Sequence, residues 1–134
     1  MHSQIRARLS ELKALVLAHP TVVRVQVRGE EISATRGYLR MRLILQVQDV
    51  VEVFVYLSDQ DGIIRLRDYS LHWQRQDGTL VQRWDTAPHH PELTGFPHHT
   101  HKAREKVEPT ETHNWESFVA LLEKIIAGLL TVES

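Results

Sequence analysis

From Leu39 to Leu57 the chain alternates with a period of two, and no other feature constrains its fold as strongly. Leu39, Met41, Leu43, Leu45 and Val47 fall on one side, and Arg40, Arg42, Gln46 and Gln48 on the other, with Ile44 as an interruption. After a turn near Gln48 to Val50, the residues Val51, Val53, Val55 and Leu57 resume the pattern. Successive strand residues point to opposite faces, so such a run predicts a sheet with one covered face and one wetter face. Arg40 and Arg42 belong to the wetter face. Upstream, Val23, Val25 and Val27 alternate with Arg24, Gln26 and Arg28. A turn at Gly29-Glu30 and a short strand around Ile32 to Thr35 are expected to follow.

Helical periodicity brackets these strands. Ile5, Leu9, Leu12 and Val16 form one apolar stripe among Arg6, Arg8, Glu11 and Lys13, and Pro20 ends it. Near the other end, Asn114 can cap a helix with Glu116 in its positive first turn. Its broad stripe is Trp115, Phe118, Val119, Leu122, Ile125, Ile126, Leu129 and Leu130. The expected class is α+β: an antiparallel sheet of five to six strands flanked by an N-terminal and a C-terminal helix, as a single domain over residues 1–134. A chain of this length buries about two-thirds of its unfolded surface and holds a core without staples.

The chain has no cysteine, which excludes disulfides, zinc ribbons and thiol catalysis. The opening residues are amphipathic and charged, unlike a secretory signal, and no apolar run approaches a membrane span. A cytoplasmic protein with no membrane partner is the expectation. The formal net charge of −1 supplies no global attraction to nucleic acid. Arginine outnumbers lysine by 12 to 4, and guanidinium forks suit phosphate and carboxylate. A genome that prefers arginine would give the same ratio.

The residues with chemical potential concentrate between Asp68 and His101. In the strand starting at Ile63, the apolar set moves from Ile64 and Leu66 to Tyr69, Leu71 and Trp73. That change of phase predicts a bulge at Arg67-Asp68. Asp77-Gly78 then signals a two-residue hairpin turn, with a return strand over Thr79 to Asp85. With that turn, Gln76 faces Thr79, Trp73 faces Gln82, His72 faces Arg83, Leu71 faces Trp84 and Ser70 faces Asp85. Opposed residues share a face. One face then carries Leu71, Trp73 and Trp84, and the other Ser70, His72, Arg83 and Asp85. A face that merely solvates the sheet would carry the same residue types.

Beyond Asp85 lies a proline-punctuated loop, Thr86 to Pro97, with His89, His90, His98, His99 and His101 in and just after it. Three readings are open. Acid/base catalysis would use His72 with His89 or His99, Arg83 on the phosphate, Asp85 to orient a histidine, and no cofactor. This suits RNA cleavage by 2′-hydroxyl attack, a metal-independent ribonuclease chemistry. Arg40, Arg42, Ser70, His90, His98 and Lys102 would then contact substrate. Alternatively, His99 and His101, with Asp85 or His89, could ligate a divalent transition metal, although the spacing fits no standard zinc pattern. Third, the segment could be a histidine-rich surface loop. A non-enzymatic module binding metal or protein through this loop is the alternative to an enzyme. His2, His19 and His113 read as structural or solvated, and Trp73, Trp84 and Trp115 as core.

The runs Asp68-Tyr69-Ser70, His72-Trp73-Gln74, Arg83-Trp84-Asp85, Ala87-Pro88-His89-His90-Pro91-Glu92 and Phe96-Pro97-His98-His99, with His101, resemble the TumE family. Tyr38-Leu39-Arg40 and Trp115-Glu116-Ser117-Phe118 are also similar, so the likeness covers roughly residues 36 to 130. It implies a cytoplasmic prokaryotic toxin of a two-gene, type II toxin–antitoxin system, restrained by an antitoxin protein encoded next to it. It assigns no catalytic residues, so the candidates above rest on hairpin geometry and histidine chemistry. Exposed strand edges leave room for a homodimer or for a strand added by the antitoxin.

Overall fold

A computed structural model describes residues 4–86, 99–102, 107–109 and 114–129. Helix α1 (Gln4–Ala18) leads into strands β1 (Val22–Ile32), β2 (Arg36–Leu45), β3 (Val50–Gln60), β4 (Ile63–Gln74) and β5 (Leu80–Asp85). Two short strands, β6 (His99–Lys102) and β7 (Val107–Pro109), extend the sheet, and helix α2 (Trp115–Ile126) closes the order. All the strands form one antiparallel sheet in chain order, β1 to β7. The class is α+β, with the sheet and its two helices as expected.

Both helices share a core with one face of the sheet. Ile5, Leu9, Leu12 and Val16 of α1 and Phe118, Leu122, Ile125 and Ile126 of α2 are buried there. They join Leu39, Met41, Leu43 and Leu45 of β2 and Val51, Val53, Val55 and Leu57 of β3. Tyr69, Leu71 and Trp73 of β4 and Val81 and Trp84 of β5 complete the cluster. These are the apolar phases of the two periodicities, and removing them from water is the main force holding the layers together. Helix α1 sits close to β2 because Gly37 has no side chain: a Cβ there would lie 2.5 Å from Ile5 Cγ2. Helix α2 starts at Asn114, whose side chain accepts from the Ser117 amide at 2.8 Å, while Ser117 Oγ accepts from the Asn114 amide at 2.9 Å. Thr21 Oγ1 donates to the Ile126 carbonyl and ties the end of α2 to the start of β1. No helix among the described residues is long and apolar enough to cross a membrane.

Several turns differ from expectation. Gly29-Glu30 is no turn, because β1 runs unbroken from Val22 to Ile32. Its pairing with β2 shifts between Val27 and Gly29, so Arg28 is an extra bulged residue and the strand continues. The chain reverses at 33–35 instead, where the Ser33 amide donates to the Arg36 carbonyl at 2.8 Å. Val47 is exposed in the β2–β3 turn rather than on the core face, and Gln48 there has φ 72°. The β3–β4 turn is only Asp61-Gly62, both at positive φ (56° and 78°), because Gln60 still pairs with Ile63. Positive φ at both loop positions is the hairpin turn whose twist matches that of its strands.

Candidate functional site

The side of the sheet opposite the helices is built by the polar phase of β2 to β5. Pairing across these strands lines residues up in transverse rows. Arg42 opposes Glu52, Glu52 opposes His72, and His72 opposes Arg83. In the next row, Arg40 opposes Phe54, Phe54 opposes Ser70, and Ser70 opposes Asp85. Opposed side chains share a face, so Ser70, His72, Arg83 and Asp85 form one cluster flanked by Arg40 and Arg42.

That register arises differently from the expected one. The Arg75 amide donates to the Thr79 carbonyl at 2.8 Å, and the Gly78 amide donates to the Arg75 carbonyl at 2.9 Å. The loop is therefore three residues, 76–78, with Gly78 at φ 91° supplying the left-handed position that L side chains resist. Asp77 Oδ1 accepts from the Thr79 amide at 2.9 Å and braces the turn. A three-residue loop puts Gln74 opposite Leu80 instead of Val81. The register then shifts between Gln74 and Trp73, leaving Val81 as the extra residue, so that Trp73 opposes Gln82 and His72 opposes Arg83. The extra loop residue and the β5 bulge cancel. At the other end of β4, Tyr56 pairs with Asp68 and Leu57 with Leu66, so Arg67 is bulged where the change of phase predicted it.

Within the cluster, Arg83 Nε lies 3.2 Å from Asp85 Oδ2. Asp85 is only 7% exposed, whereas Arg83 and His72 are half-buried. Burial lowers the His72 pKa below its usual value; the Arg83 charge lowers it further, and Glu52 opposes both. The neutral imidazole is thus favoured, the form that accepts a proton. Asp68, just beyond Ser70, has its pKa raised by burial and by Asp85, against a hydrogen bond from the Tyr69 amide. Arg42 Nε is 3.6 Å from Glu52 Oε1, and the Arg40 guanidinium stands 4.5 Å over the Phe54 ring.

The remaining candidates divide in two. His89, His90 and His98 lie outside the described residues. His99, His101 and Lys102 are described in backbone only: β6 pairs His99 with Asp85, His101 with Arg83 and Lys102 with Gln82. Among the described residues no group of three or more histidines and carboxylates is placed to hold a metal ion. Trp73 and Trp84 are buried and Trp115 packs against the core, as expected. His19 serves structure, its Nδ1 accepting from the Thr21 amide at 3.2 Å.

Sequence reasoning passed over Glu52, Phe54 and Tyr56. Their signal lies in the alternation that located the core: they are the wet-face phase of β3, and pairing β3 with β2 sets them beside Arg42, Arg40 and Tyr38.

Fold and site together define a small single-sheet α+β protein with two helices on its apolar face and a histidine–arginine–aspartate cluster on the other. The chain belongs to the TumE family: the family model described as Toxin TumE matches residues 12–130. Membership makes it a member of a toxin family, and a toxin of this kind implies an antitoxin partner. No curated protein and no solved structure matches the chain.

Proposed function

We propose that the protein is a toxin of a type II system that acts in the cytoplasm by cleaving RNA without a metal, through the cluster on the open sheet face. The pairing of His72 with Arg83 and of Ser70 with Asp85, with the Arg83–Asp85 ion pair between them, carries this reading. It sets a neutral base, a guanidinium and an orienting carboxylate within one patch. In the proposed reaction His72 takes the proton of a ribose 2′-hydroxyl. The resulting oxygen attacks the adjacent phosphorus, and the bond to the 5′-oxygen breaks as a cyclic phosphate forms. A protonated histidine from the histidine-rich segment, His89 or His99, returns a proton to the leaving 5′-oxygen. Arg83 stabilises the charge on the crowded phosphorane, and Asp85 holds Arg83 in place. Arg40, Arg42 and Ser70 would bind substrate, with His90, His98 and Lys102 on the histidine side.

The test is induced expression of the wild type, His72→Ala, and His89→Ala/His99→Ala in a host lacking the antitoxin gene, reading growth and RNA integrity together. The wild type should arrest growth and fragment RNA. Both variants should lose these effects while keeping the wild-type melting temperature. Arrest with intact RNA would move the target elsewhere, and a toxic, well-folded His72→Ala protein would remove His72 from the site. Stoichiometric zinc, nickel or manganese in protein purified without a histidine tag would favour the histidine segment as a ligand set instead.

A further inference from the structure

The open face does not end at the histidine cluster. Moving along the strands away from it, the next row is Tyr38, Tyr56 and Asp68, and beyond it Arg36 opposes Ser58. From Glu52, in the His72 row, to Ser58 is six residues along β3, or about 20 Å. That distance holds three half-buried aromatic side chains, Tyr38, Phe54 and Tyr56, on a face that neither helix covers. The Tyr38 and Phe54 rings are 6.3 Å apart and tilted, and the Arg40 guanidinium caps Phe54. Wet sheet faces seldom gather aromatics, because their apolar area would be better buried.

At the far end lies a concavity of about 850 Å³ lined by Arg36, Tyr56, Ser58, Asp59, Asp61 and Arg67 among others. A second, of about 530 Å³, adjoins it and shares Arg36 and Tyr56 with it. The larger cavity contains a group that lacks what it needs. Ser58 is 6% exposed, and its hydroxyl has no hydrogen-bond partner among the described residues. A buried hydroxyl without a partner is costly, and a ligand that hydrogen-bonds to it removes the cost. Two guanidiniums and two carboxylates nearly balance in charge, which suits a ligand edge with both donors and acceptors better than a bare anion. With the Tyr56 ring as one wall, those are the requirements of a nucleobase.

We infer that the face from Arg83 to Arg36 is a track for single-stranded RNA. Arg40 and Arg42 hold its backbone, Tyr38, Phe54 and Tyr56 stack its bases, and the Arg36–Ser58–Arg67 cavity receives a base several nucleotides from the reacting phosphate. This rests on the proposed RNA-directed function and adds to it a reason for sequence or length preference. Stacking platforms with arginines along the backbone are how sheet faces hold single strands.

The test uses fluorescein-labelled 2′-O-methyl RNA oligomers of mixed sequence, three and nine nucleotides long, whose capped hydroxyls prevent cleavage. The wild type should bind the longer oligomer at least about tenfold more tightly by fluorescence anisotropy. Tyr56→Ala and the double variant Arg36→Ala/Arg67→Ala should each remove about tenfold of the nonamer's affinity and so shrink the preference for length. Arg67→Glu, at an exposed bulge, should do the same and guards against misfolding in the others. Equal affinity for both lengths, or well-folded variants that bind the longer oligomer like the wild type, would overturn the track and leave the face to a protein partner. The parallel assay with unmodified RNA separates the two ideas. Length-dependent binding without cleavage keeps the track and defeats the nuclease, whereas cleavage without length-dependent binding does the reverse.

Discussion

At His72, burial and the Arg83 guanidinium both disfavour the imidazolium, and Glu52 does not fully offset them. Two outcomes follow. If His72 is the base, the acid limb of the pH–rate profile should lie below pH 6.5, the ordinary histidine value. Arg83→Ala should raise the His72 pKa and Glu52→Gln should lower it, both measurable by histidine ring NMR titration. The stability consequence has a definite sign. Between the folded pKa and 6.5 the unfolded chain binds more protons than the folded one, so the His72 contribution is lost as pH falls through that window. Asp49 makes a purely structural case. It is 5% exposed and accepts from Trp73 Nε1 at 2.9 Å and from Arg75 at 2.8 Å, joining the β2–β3 turn to the β4–β5 hairpin. Asp49→Ala strands a buried indole N–H and should cost about 1–3 kcal/mol in urea unfolding. Asp49→Asn keeps an acceptor and should cost less. The sequence marked His72 through its neighbours on one strand face, but Asp49 carries no local mark, since its partners are 24 and 26 residues away.

Among the elements, the β4–β5 hairpin does most to assemble the site. Its loop has three residues and its return strand a bulge at Val81, and the two offset each other so that His72 stands opposite Arg83. Inserting an alanine between Gln82 and Arg83 should abolish toxicity by sliding Arg83 and Asp85 out of register with His72 and Ser70, whereas deleting Val81, the extra residue, keeps His72 opposite Arg83 and should remain toxic at lower stability. Gly78→Ala should cost about 1 kcal/mol through its φ of 91° and leave toxicity intact, since the added methyl meets nothing within 4 Å. Growth assays and chemical denaturation read both. The Asp-Gly pair was legible as a turn, but its loop length was not, because a short Asp-Gly loop can close with two residues or three. The Arg67 bulge was legible because it moved the apolar residues from even to odd positions. The Arg28 bulge in β1 was hidden by Gly29-Glu30, which mimics a turn. The β1 pairing also shifts at Val23. Two bulges along an edge strand discourage a further chain from pairing there.

For the whole molecule, stability comes from one apolar layer between the helices and the sheet. Phe118 lies fully buried within it, its ring 5.7 Å from that of Tyr69. Phe118→Ala should cost about 3–5 kcal/mol in thermal or chemical unfolding. Because the candidate site lies on the opposite face, the loss of toxicity in such a variant should track its unfolded fraction and no more.

The periodicities alone determined the class of fold, the two helices and most of the residues that face the core. Those features depend on which side chains must leave water, and that is written locally in every turn of helix and pair of strand residues. The family likeness was also readable from short runs of residues. Tertiary structure decided the rest: loop lengths, compensating bulges, the partnership of Asp49 with Trp73 and Arg75, and the rows that join Arg42, Glu52, His72 and Arg83. These are pairings between strands, and a shift of one residue exchanges the two faces. No local signal carries that information, because register is settled by the packing of the entire sheet against its helices.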